Sequence, residues 1–128
     1  MNKFVLYLIL LCSSPAFARL SLPAVFGDHM VLQQHAEITL WGWGDPLEKV
    51  QVSSSWEDKV YESETDNYGK WKIILVTPQA GGPYSISIKG QNEIILSDVL
   101  IGEVWLCSGQ SNMAWSAASG ITDAAAEI

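Results

Sequence analysis

The chain has 128 residues, seven basic against fourteen acidic, a net charge of −7 with no basic cluster. That balance argues against nucleic acid and anionic membrane surfaces as partners. Its length leaves room for one small domain but not for a second complete one.

Residues 1–18 have the layout of a secretory signal: Lys3 gives a basic start, FVLYLILLC (4–12) an apolar stretch, and Ala16-Phe17-Ala18 a small-x-small cleavage site. The apolar stretch falls short of the roughly 20 residues a membrane-spanning helix needs. Cleavage after Ala18 is therefore expected, with a mature chain from Arg19 that is exported to the periplasm or secreted. A lipoprotein site at Cys12 is disfavoured by the bulky Leu11 before it. Once Cys12 leaves with the signal, Cys107 has no partner, and no internal disulfide is expected.

From Leu20 onward the pattern is of short strands, expected at 24–26, 30–33, 37–43, 49–54, 59–62, 70–76, 84–89 and 93–100. Turn signals separate them: Gly27-Asp28, Gly44-Asp45-Pro46, Asp66-Asn67-Tyr68-Gly69, Gly81-Gly82-Pro83 and Gly90-Gln91-Asn92. Alternation places Tyr84, Ile86 and Ile88 on one face and Ser85 and Ser87 on the other. In 37–43, Ile38 and Leu40 oppose Trp41 and Trp43, so both faces of that strand want cover. Regular reversals of this kind predict a mostly β fold, an antiparallel, jelly-roll-like β-sandwich over residues 19–100.

The character changes after Leu100. Residues 99–107 are nearly continuously apolar, as in a strand buried on both faces of a parallel sheet. Small polar residues follow, and Thr122 with Asp123 and Ala124 to Ala126 reads as a helix start. Residues 101–128 are thus expected to be the truncated opening of an α/β domain, with the boundary near 97–101.

A strand-to-helix turn is where open α/β sheets place ligands, and Ser111 sits on one. A serine hydroxyl becomes a nucleophile only with a base to take its proton and donors aimed at the oxyanion. The motif by itself leaves a nucleophile and a plain polar turn both open. The elbow of α/β-hydrolases would need Gly at 113, where Met113 stands. His29 and His35 read as turn and loop residues with structural or solvated roles. Asp28 and His29, adjacent and without spaced partners, do not make a metal site. Trp41 and Trp43 suit either a sugar platform or packing against another domain, packing being the simpler account. Cys107 is expected to be buried in its strand.

IGEVWLCSGQSNM (101–113) resembles the first catalytic block of the SGNH-type carbohydrate esterases, specifically the sialate O-acetylesterase family. LPAVFGDHMVLQQ (22–34), WGWGDP (41–46) and GGPYSISI (81–88) resemble that family's N-terminal β-domain in the same order. The resemblance implies that residues 101–128 begin an α/β SGNH-hydrolase domain and that the substrate is an O-acetylated carbohydrate. Ser111 then matches the nucleophile, its own N–H serving as an oxyanion donor; neither cofactor nor metal is implied. The family's remaining oxyanion residues, a Gly and an Asn, and its Asp and His have no counterpart in these 128 residues, which are expected to be inactive alone. The alternative is a stand-alone carbohydrate-binding or packing β-sandwich.

Overall fold

The computed structural model of the chain describes residues 19–110. The expected signal segment, Ser111 and the helix start at Thr122 lie outside the described residues. Seven strands follow one another: β1 (Val31–Gln33), β2 (Glu37–Trp43), β3 (Lys49–Ser54), β4 (Val60–Glu64), β5 (Lys70–Val76), β6 (Gly81–Lys89) and β7 (Glu93–Gly102). They form a five-stranded sheet in the order β1-β7-β6-β3-β4 and a two-stranded ladder of β2 with β5. The fold is mostly β, as expected, but not wholly antiparallel. β1 pairs with β7 in parallel, through Val31 with Leu100, Leu32 with Ile101 and Gln33 with Gly102.

Period-two alternation builds the core. β5 is regular throughout, burying Trp71, Ile73 and Leu75 and exposing the residues between. Leu40 from β2, Val50 and Val52 from β3, Ile86 and Ile88 from β6 and Val99 from β7 join them in one apolar cluster. Two turns are tied beneath it by Glu48, whose Oε2 accepts from the Asp45 N–H at 2.8 Å and whose Oε1 accepts from the Gln91 N–H at 2.6 Å.

Several elements differ from expectation for identifiable reasons. No strand forms at 24–26, where the Phe26 N–H turns back onto the Pro23 carbonyl. The Gly81-Gly82-Pro83 turn signal is instead the first part of β6. Gly82 has φ 129°, and a Cβ there would lie 2.9 Å from the Val99 carbonyl oxygen, so glycine is needed for close approach to β7 rather than for reversal. β7 carries a bulge: Ile86 pairs with Leu96 but Tyr84 with Val99. The extra residue shifts the inward set from Ile94 and Leu96 to Val99 and Ile101. Asp98 in the bulge has φ 54°, and its neighbour's Ser97 N–H donates to Asp28 Oδ1 at 2.7 Å.

The expected buried strand over 99–107 is not seen as one element. Residues 99–102 finish β7, and 103–109 have no strand partner. Truncating an inward residue such as Leu75 to alanine should cost about 2–5 kcal/mol in urea unfolding. Ile74→Ala, on the exposed row of the same strand, should cost less than about 1 kcal/mol. Equal losses at the two positions would contradict the assigned faces.

Candidate functional site

The segment leading to Ser111 leaves β7 at Gly102 and is held by side chains from the last residue of β1 and the turn after it. Gln33 Nε2 donates to Glu103 Oε2 at 3.1 Å, and Gln34 Nε2 donates to Glu103 Oε1 at 2.6 Å. Gln33 Oε1 accepts from the Val104 N–H at 2.8 Å, while the Gln34 N–H donates to the Gly102 carbonyl at 2.8 Å. Both carboxylate oxygens of Glu103 are therefore engaged. These bonds hold its carboxyl below the ordinary carboxylate value, Gln34 first and Gln33 next, with the nearby His35 acting in the same direction. Nothing in the sequence marked Gln33, Gln34 or Glu103 for this, because the contact joins positions about seventy apart in the chain.

Beyond Val104 the packing stops. Trp105 and Leu106 are 84% and 94% exposed, and Cys107 is exposed rather than buried. The reason is that the ladder ends at Gly102, so the apolar run has no sheet to join among the described residues. The turn that would present Ser111 is described only as far as Gln110.

The two histidines lie in turns with positive φ, 63° at His29 and 48° at His35. His29 Nδ1 sits 2.6 Å from Asp98 Oδ2, and its N–H donates to the Ser97 carbonyl at 3.0 Å. Asp28 and His29 thus grip the β7 bulge. No group of three or more His, Cys, Asp or Glu side chains placed to hold a metal occurs among the described residues.

Trp41 and Trp43 project from the outer face of β2, edge to face with ring centroids 5.3 Å apart, and Phe26 meets Trp41 at 6.2 Å. Their cross-strand partners are Lys72 and Lys70. A groove of about 670 Å³ runs beside them toward β4, lined also by Ser63, Glu64 and Asp66. It is aromatic with charged walls, a composition that suits a sugar or a polar partner surface.

No family model matches the chain. The human sialate O-acetylesterase (Homo sapiens) is 33% identical over 119 residues, covering 85% of this chain and 23% of the relative. The mouse sialate O-acetylesterase (Mus musculus) is 33% identical over 96 residues, 67% of this chain and 18% of the relative. The crystal structure of a carbohydrate acetylesterase from Xanthomonas citri superposes with a TM-score of 0.76 at 36% identity, over 84% of this chain and 24% of that one. The chain thus spans about a quarter of the length of the relatives it matches.

Because its folded pKa is lowered, Glu103 contributes its stabilisation in full above the ordinary carboxylate range. That contribution is lost as pH falls through the lowered value. Gln34→Ala should move the Glu103 titration upward toward the ordinary value, followed through its carboxyl ¹³C shift. Coincident titrations in the two proteins would show that the Gln34 contact is not made in solution.

Proposed function

Since the chain belongs to the sialate O-acetylesterase family over the region they share, we propose that it supplies the β-domain and nucleophile segment of an exported serine esterase acting on O-acetylated carbohydrate. The observation that carries this reading is the shared sequence and fold over more than four-fifths of the chain with acetylesterases. Ser111 is the residue that matches the nucleophile. Its hydroxyl attacks the acetyl carbonyl while a base takes the proton, and its backbone N–H donates to the oxyanion. Collapse expels the sugar oxygen, which takes the proton back from the base to become a hydroxyl, and leaves an acetyl-serine. Water then attacks that ester, releasing acetate and restoring the hydroxyl.

His29 and His35 lie in turns of the β-domain with positive φ, away from the family's catalytic blocks in sequence. By resemblance the base and the remaining oxyanion donors belong to later blocks of the family. Val104, Trp105 and Leu106 have the composition of a strand covered on both faces and lack such cover among the described residues. That exposure supports reading 101–128 as the opening of an SGNH-type domain.

A second reading rests on the groove beside Trp41 and Trp43: the β-domain as a carbohydrate-binding module. Indole faces stack on sugar rings, and Lys70, Lys72, Glu64 and Asp66 around them can hydrogen-bond sugar hydroxyls.

The 128-residue protein is expected to hydrolyse p-nitrophenyl acetate no faster alone than as Ser111→Ala. A chain carrying these residues together with the family's Asp and His block should turn it over. There Ser111→Ala should cost about a millionfold, the scale of nucleophile loss in a subtilisin-type triad. Turnover by the short chain that Ser111→Ala abolishes would sink the claim that the base lies elsewhere. For the second reading, calorimetric titration with sialyllactose should show binding that Trp41→Ala removes; no heat with the parent protein counts against a module.

A further inference from the structure

We propose that Gln33, Gln34 and Glu103 form a positioning clasp that fixes the direction in which the Ser111-bearing segment leaves the β-domain. The proposal rests on the esterase reading for its purpose but on described residues for its geometry.

Complementarity is the first ground. Gln33 uses both ends of its carboxamide, donating to Glu103 Oε2 and accepting from the Val104 N–H. Gln34 donates to Glu103 Oε1, and its own Oε1 accepts from the Ala80 N–H at 3.0 Å. Three polar groups thereby converge on Glu103 and Val104 while a fourth, Gln34 Oε1, is held by Ala80, so the orientation of each carboxamide is dictated by its neighbours.

Placement is the second. The parallel ladder of β1 with β7 ends at the pair Gln33 and Gly102, and the clasp is made by the Gln33 side chain with the next residues along, Gln34 and Glu103. Side chains thus take over where backbone pairing stops. Immediately afterward Trp105 and Leu106 are almost fully exposed. The clasp fixes the backbone at Glu103 and Val104, where the chain leaves the β-domain toward Ser111. Exposed hydrogen bonds of this kind add little to global stability, whereas a displacement of about 1 Å at a reacting atom can cost about a hundredfold in rate.

The test separates the clasp from the chemistry. In the 128-residue protein, amide hydrogen exchange at Val104 should be slower than at Trp105. Gln33→Ala should speed it about tenfold, the scale of one hydrogen bond, with the thermal midpoint unchanged. Glu103→Gln should also speed it: its carbonyl can still accept from Gln34, but its NH2 then faces the NH2 of Gln33, which must turn away from Val104. Combining Gln33→Glu with Glu103→Gln should restore slow exchange. The new carboxylate accepts from Val104 and from position 103, whose carbonyl still accepts from Gln34.

In an acetylesterase chain that contains these residues, Glu103→Gln should lower kcat about tenfold with KM unchanged, and the swap should recover it. Exchange that is the same in all four proteins overturns the clasp. Exchange that responds while kcat does not overturns its positioning role. Absence of Ser111-dependent turnover in any such chain refutes the esterase reading instead, and with it the purpose assigned to the clasp, while the exchange result still decides whether the clasp is made.

Discussion

Burial of the inner row of the β2 and β5 ladder against the five-stranded sheet is the constraint on which the rest depends. Two strands alone are marginal in water. Here Leu40, Trp71, Ile73 and Leu75 share one cluster with Val50, Val52, Ile86, Ile88 and Val99, so the small ladder exists because the larger sheet covers it. Gly42 shows how close the fit is. A Cβ at that position would fall 3.1 Å from the Trp71 ring and 2.3 Å from the Ser21 carbonyl oxygen. Once Leu40 and Gly42 face inward, strand geometry leaves Trp41 and Trp43 no choice but the outer face, and the groove beside them follows.

The second organising feature is the way β7 is held. Residues before β1 and at its C-terminal end supply the grips. Asp28 and His29 take the bulge at Ser97 and Asp98, and Gln33 and Gln34 take Glu103 and Val104. The polar positions of the 22–34 stretch thus have a common task that their apolar neighbours, Val31 and Leu32, begin through the parallel ladder. The strand that leads to Ser111 is gripped at its bulge and just past its C-terminal end by one short segment.

What could be read from sequence was what repeats locally. Alternation in 84–88 assigned the faces correctly, because a two-residue period needs no knowledge of partners. The opposition of Leu40 to Trp41 and Trp43 was legible for the same reason. Partnership itself was not. Nothing in Val31, Leu32 and Gln33 says that their mate is a strand near the other end, or that it runs parallel. The bulge at Asp98 hides in an apolar stretch whose phase changes midway. Gly81 and Gly82 read as a turn because glycine serves reversal and close approach alike. Residues 103–107 have no strand partner among the described residues: apolar composition reports a preference for cover, not the presence of it. Of the candidate site, Ser111 was visible only through its motif and the resemblance; the grip on Glu103 depends on a fold-level contact no local pattern encodes.

The pairing of β1 with β7 also sets an order of events during synthesis. Chains emerge from the ribosome N-terminal end first, and contacts between distant positions cannot form until both have emerged. β1 is made early and must wait for almost the whole domain before Leu100, Ile101 and Gly102 arrive to meet it. The sheet therefore closes last at its β1 edge, and the residues that close it are followed directly by Glu103. By the time position 111 reaches solution, the platform from which it extends has all the strands it needs to be complete.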